Sequence, residues 1–137
     1  LIILGDGSLR NELEKLLIDL KLNEHVKMKG YVKNPLKYFS RADVFALPSY
    51  VEGMPNVLIE AMMAGCTPVS TSCETGPKEI LSGGKYGYLV PIKNPQALCD
   101  GLLKAINNPI SKNILSEAVK PFQEDIVIKE HFKHLGI

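Results

Sequence analysis

The sequence predicts an α/β fold: a parallel sheet with helices on both faces. Three observations predict it. Short strand-like segments recur through the chain at 1–4, 26–30, 43–49, 67–72 and 88–91. The segments between them carry apolar residues at helical spacing rather than strict alternation. The stretches 1–4, 44–48 and 88–91 are continuously apolar, as strands covered on both faces require.

"LIIL" at 1–4 reads as a strand buried on both faces, and "GDGS" as the turn that follows. Leu9, Leu13, Leu16, Leu17 and Leu20 then mark a helix, with Ser8 as its N-cap. "VKMKG" at 26–30 alternates apolar with basic residues, which suits a strand near a sheet edge. Leu36, Phe39 and Ala42 predict a short helix after Pro35, and "DVFALPS" at 43–49 a further buried strand. Pro55 is suited to the first position of a helix running to Ala64, where Gly65 supplies the stop.

"TPVSTS" at 67–72 is the next strand. A loop with one short helix leads from Cys73 to the strand "YLVP" at 88–91. Asn94 caps a helix with apolar positions Ala97, Leu98, Leu102 and Ile106. Two further helical patterns, Ile114–Phe122 and Ile128–Leu135, occupy residues 109–137. There is no internal repeat and no linker, so residues 1–137 read as a single domain.

The composition fits a globular core: 45% hydrophobic, 23% charged, with a net charge of +1. That balance gives no electrostatic case for nucleic acid. Three cysteines without close pairing, Cys66, Cys73 and Cys99, argue against a disulfide framework and read as small buried residues in a reducing compartment. The start has neither the basic region nor the length of a signal peptide, and a chain that opens in mid-strand reads as part of a larger protein. No stretch is long enough to span a bilayer.

In an open parallel sheet ligands bind at the carboxyl ends of strands, which directs attention to the loops 5–8, 30–35, 48–56, 72–77 and 91–95. "GDGSLR" lacks the third glycine of a dinucleotide fingerprint and has Arg10 there, so it reads as a tight turn. His25, His131 and His134 form no metal-ligand grouping. Lys27, Lys29, Lys33, Lys37 and Arg41 form a loose basic stretch, read as a solvated face before a phosphate or membrane contact.

The strongest constellation is "YVEGMPNVLIEAM" at 50–62. A helix beginning near Pro55 leaves the backbone N–H groups of Asn56, Val57 and Leu58 free, and with the helix dipole these make an anion site. Gly53 lets the loop approach a ligand without a side chain in the way. Leu58, Ala61, Met62 and Gly65 define the buried face. Asn56 and Glu60 share another, which puts Glu60 about 5–6 Å below the helix mouth. Glu52 lies just outside that mouth. A carboxylate accepts hydrogen bonds, so each glutamate suits a vicinal diol, while the helix mouth suits a diphosphate. The shape fits a sugar nucleotide. The competing reading is an exposed loop charge and an ordinary surface glutamate, since acids near a helix N-terminus also serve structure.

"ADVFALPSYVEGMPNVLIEAMMAG" resembles the E-x7-E signature of retaining glycosyltransferases with the GT-B fold, in particular the large family 4. "VKMKGYV", "TPVSTSCETGPKEIL" and "GGKYGYLVP" resemble the flanking segments of that family in the same order, from residue 1 to about 107. The resemblance implies a Rossmann-like domain, the C-terminal, donor-binding half of a GT-B enzyme. It assigns Glu52 to the transferred sugar as the catalytic residue. Gly53, Met54, Pro55, Asn56, Val57 and Leu58 fall to sugar and diphosphate, Glu60 to the ribose hydroxyls, and Tyr31 and Val32 to the base. Pro48 and Ser49 match the strand end beside the site.

The resemblance also implies a nucleotide-sugar donor, UDP-linked, with no metal and no further cofactor. It implies an acceptor glycan or lipid-linked oligosaccharide and an N-terminal acceptor domain as partner. The fragment is expected to be monomeric and inactive alone. The setting is bacterial and cytoplasmic, with room for peripheral membrane association of the parent enzyme.

Four features depart from the pattern: the Arg and Lys usually found just upstream, the acceptor domain, "GCTPV", one residue longer than G-x-P-V, and Met54, at a place often held by an aromatic or other apolar residue. Two other readings stand beside the transferase: a sugar-nucleotide-binding module without turnover, and a GT-B-like sugar-nucleotide epimerase.

Overall fold

The computed structural model describes residues 1–136. Helices and parallel strands alternate throughout, which makes the chain α/β as predicted. The strands form two sheets, and the chain divides into two compact units, Leu1–Pro35 and the segment from Leu36 onward.

In the first unit, β1 (Ile2–Ile3) pairs in parallel with β2 (Lys27–Met28), and α1 (Arg10–Asp19) connects them. Both strands are sheet edges, in line with the alternating pattern of β2. The expectation that β1 is buried on both faces fails: Leu1 and Ile2 are exposed. A two-residue strand with one partner has too little neighbouring surface to cover it. Helix α1 likewise buries no residue completely. Ser8 is not its cap; Leu9 holds the N-cap position, without a side-chain cap bond. Arg10, where a dinucleotide fingerprint needs glycine, pairs with Asp6 at 3.5 Å and Glu14 at 2.8 Å and donates to the Met28 carbonyl at 3.3 Å. The "GDGSLR" turn is thus tied up in structure.

The second unit is a three-stranded parallel sheet in the order β3 (Val44–Leu47), β4 (Thr67–Thr71), β5 (Tyr88–Val90). Helix α2 (Leu36–Phe39) precedes β3. Helix α3 (Asn56–Met63) joins β3 to β4, and α4 (Pro77–Ile80) lies between β4 and β5. Helices α5 (Pro95–Asn107), α6 (Lys112–Val119) and α7 (Glu124–Leu135) follow.

Strand alternation divides the core between two faces. Leu58, Ile59, Met62, Ile80, Leu81 and Leu115 pack on Phe45, Leu47 and Leu89 on one side. Val69, Val90 and Ala105 pack with Val44, Tyr88 and Leu102 on the other. Helix α5 comes so close to the sheet that a Cβ on Gly101 would stand 2.8 Å from Val90 Cγ1. β4 is the central strand, and all five of its residues are buried.

Pro68 in the middle of this sheet costs no ladder bond. The N–H of Thr67 points to β3, bonding the Asp43 carbonyl, so the nitrogen of Pro68 faces the β5 side. β5 pairs only from Tyr88 opposite Val69. The edge strand β3 is half-buried rather than fully covered.

Helix ends follow the sequence at several points. Asn94 Oδ1 accepts from the Ala97 N–H at 3.0 Å, and Ser111 caps α6. Gly65, at φ 92°, ends α3 in a Schellman motif, with Gly65 N–H on the Met62 carbonyl and Cys66 N–H on that of Ala61. Cys66, in the lengthened "GCTPV" turn, is buried, and its thiol donates to the Phe39 carbonyl at 3.1 Å. Burial, and then the charge of Asp43, push its pKa up. Cys73 is buried as expected, but Cys99 is exposed on the outer face of α5.

Candidate functional site

The carboxyl ends of β3, β4 and β5 lie at one end of the second unit, because the three strands are parallel. The loop from Pro48 to Pro55 leaves β3 there and delivers the chain to α3. It carries Glu52, and the segment 72–76 beyond β4 lies against it. Two of the contacts between these loops bear on Glu52 and Gly53. Thr75 Oγ1 donates to the Glu52 carbonyl at 2.7 Å. Gly76, at φ 78°, packs so tightly that a Cβ would come within 1.9 Å of the Gly53 carbonyl oxygen and 2.8 Å of Pro55 Cδ. Only glycine meets both demands, the left-handed backbone and the close approach.

The side chain of Glu52 is held as well. Ser49 Oγ donates to Glu52 Oε1 at 2.6 Å, within the range of a charge-assisted O–H···O bond. Ser49 is fixed from below: its carbonyl accepts from Thr71 Oγ1 and, at 3.4 Å, from Cys73 Sγ. Glu52 is half-buried, whereas Gly53 and Met54 face solvent. A Cβ on Gly53 would meet nothing within 4 Å, so a ligand can come up to the backbone there.

The expectation for the mouth of α3 needs correcting. Pro55 is the N-cap residue, at φ −75° and ψ 91°, and the helix starts at Asn56. The extended ψ keeps Pro55 outside the helix, and its carbonyl accepts from the Leu58 N–H at 2.9 Å. The Leu58 amide is therefore occupied. Asn56 and Val57 retain free N–H groups among the described residues, and proline supplies no side-chain cap to compete for them.

Leu58, Ala61 and Met62 are buried and lock the helix to the core. Their burial leaves Asn56 exposed and Glu60 half-buried on another face, one turn apart, as the spacing requires. Among the described residues Glu60 has neither an ion pair nor a side-chain hydrogen bond. At the rim, Lys93 Nζ stands 5.8 Å from the ring centroid of Tyr50.

The second unit thus brings together Glu52, Gly53, Met54, Pro55, Asn56, Val57, Leu58 and Glu60 in one continuous stretch. Tyr31 and Val32 belong to the first unit, where Tyr31 is exposed and Val32 half-buried. Sequence reasoning missed Thr75 and Gly76 as supports of the Glu52 loop. The available signal was Gly76 before Pro77, a turn position where positive φ favours glycine. Among the described residues no group of three His, Cys, Asp or Glu side chains could hold a metal ion, and no helix is long and apolar enough to cross a membrane.

Comparison with known proteins gives this geometry a context. Residues 1–121 match the family described as glycosyl transferases group 1. The chain is 32% identical to the N-acetylgalactosamine-N,N'-diacetylbacillosaminyl-diphospho-undecaprenol 4-alpha-N-acetylgalactosaminyltransferase of Campylobacter jejuni, over 98% of this chain and 38% of that protein. A crystal structure of a mutant of S. aureus TarM in complex with fondaparinux, alpha-GlcNAc-glycerol and UDP superposes with a TM-score of 0.77 at 28% identity, over 87% of this chain and 24% of that one. Anabaena HepE in complex with UDP shares the fold, with a TM-score of 0.81 at 23% identity, over 98% of this chain and 40% of that one. The chain therefore spans less than half the length of these three proteins.

Proposed function

The chain belongs to the glycosyl transferases group 1 family, and on that premise we propose that it is the donor-binding domain of a retaining glycosyltransferase. The parent enzyme moves a sugar from a nucleotide diphosphate donor, UDP-linked, to a glycan or lipid-linked acceptor. The observation that carries the reading is the graded set of partners along one stretch: a gripped carboxylate at Glu52, two free amides at Asn56 and Val57, and an unpaired carboxylate at Glu60. The C. jejuni relative's undecaprenol-linked saccharide and the UDP bound to TarM support the choice of donor and acceptor class.

In this reading the Asn56 and Val57 amides and the dipole of α3 receive the diphosphate. They stabilise the negative charge that grows on it as the glycosidic C–O bond breaks. Glu60 accepts from the ribose diol, and Glu52 accepts from hydroxyls of the transferred sugar and orients it. Gly53 and Met54 line the sugar. The acceptor hydroxyl enters from the N-terminal domain of the parent enzyme, on the cytoplasmic side of the membrane. No metal or further cofactor is assigned a role.

Calorimetric titration of the protein with UDP, GDP and ADP tests the donor assignment. Binding of UDP in preference to the other two is the expected result. Absence of binding to all three at millimolar concentration would defeat the reading.

A further inference from the structure

We infer that Ser49 and Thr75 are positioning residues for the donor sugar, acting through Glu52. The inference rests on the sugar-nucleotide reading and adds to it the groups that aim the carboxylate. Glu52 sits in a loop with a glycine directly after it, so the local backbone does not fix its side chain. The structure supplies two restraints instead. Ser49 Oγ donates to Oε1 at 2.6 Å, and Thr75 Oγ1 donates to the main-chain carbonyl of the same residue at 2.7 Å.

Both restraints lead back to the central strand. The Ser49 carbonyl accepts from Thr71 Oγ1 and Cys73 Sγ, both buried, and Thr75 follows two residues after Cys73. A chain of contacts therefore runs from the carboxyl end of β4 through Ser49 to one carboxylate oxygen. Among the described residues Oε2 accepts from no protein group. One oxygen is used for aiming and the other is left for a sugar hydroxyl. A carboxylate without such restraints would have to lose rotamer freedom when the sugar binds.

A merely structural bond between Ser49 and Glu52 would matter for folding and equally for every ligand. A positioning bond matters only through Glu52 and only for the sugar. The test uses the full gene product, its transfer kinetics, UDP affinity and melting temperature. Ser49→Ala is expected to lower kcat about 10-fold, as loss of a hydrogen bond to a charged group does, with UDP affinity and melting temperature unchanged. Ser49→Thr, which keeps the hydroxyl, restores kcat. In a Glu52→Ala background, which removes the acceptor, Ser49→Ala has no further effect of that size. Thr75→Val gives a smaller kcat loss of the same kind.

Wild-type kcat in Ser49→Ala overturns the inference, as does a loss of equal size in the Glu52→Ala background. Should Ser49→Ala melt too early to assay, Ser49→Cys, a weaker donor of similar volume, carries the test through an intermediate kcat. A wild-type protein that neither binds UDP nor transfers sugar would instead overturn the proposed function, so the two failures are distinguishable.

Discussion

Glu52 and Glu60 are the same side chain, seven residues apart, and the protein treats them in opposite ways. Glu52 is on a loop and is restrained by hydrogen bonds to both its carboxylate and its main chain. Glu60 is on a helix, and its carboxylate has no partner among the described residues. The difference follows from where each backbone gets its rigidity. Helix α3 is locked by Leu58, Ala61 and Met62, so Glu60 is placed by the core and needs no second anchor. The loop has no core of its own, and polar bonds do for Glu52 what packing does for Glu60.

The largest expected effect falls on the restrained residue. Glu52→Ala should reduce kcat of the full gene product on the order of 100-fold or more, as the loss of about two hydrogen bonds to a charged group implies. Its UDP affinity should stay near wild type. Equal losses in kcat and in UDP affinity would erase the distinction between the two glutamates.

The next effect comes from Gly76→Ala. The new Cβ must displace the Gly53 carbonyl, and the residue must hold a left-handed backbone, together costing about 1–3 kcal/mol or more. A lowered melting temperature and a kcat loss of at least the size seen for Ser49→Ala are expected, since the substitution pushes on Gly53 and on Pro55, the N-cap of α3. A wild-type melt and rate would show that the 72–76 segment does not support the loop.

The smallest effect sharpens the middle of the device. Asn56→Pro removes one free amide at a helix position where proline is well tolerated, and Pro55 already has the extended ψ that a following proline requires. UDP should bind about 10-fold more weakly with the melting temperature unchanged, whereas Asn56→Ala should leave binding intact. Equal behaviour of the two variants would assign the effect to the side chain rather than the amide.

The legibility of the sequence divides along a similar line. Helix α3 and helix α1 both show apolar residues at helical spacing, yet α3 buries four residues and α1 none. Periodicity reports which face is apolar, while burial depends on whether a sheet lies beneath it. β4 has two neighbours and β1 has one. In the second unit the alternation of strands and helices, the Asn94 cap and the Gly65 stop were readable because each rests on local chemistry. In the site, the E-x7-E spacing put both carboxylates near the helix mouth. The cap position of Pro55 and the occupied Leu58 amide were not readable, since ψ at a proline is not set by its ring. Nor were the contacts of Thr75 and Gly76, which depend on how two loops meet.

In the proposed function the carboxylate of Glu60 holds the ribose diol. Its direct test is the ratio of affinities of the wild-type protein and Glu60→Ala for UDP and for 2′,3′-dideoxyuridine diphosphate. The wild-type protein should prefer UDP by about 10-fold, the value of one or two hydrogen bonds to a charged acceptor, and Glu60→Ala should bind the two alike. A variant that keeps the wild-type preference, or a wild-type protein that has none, would contradict the claim.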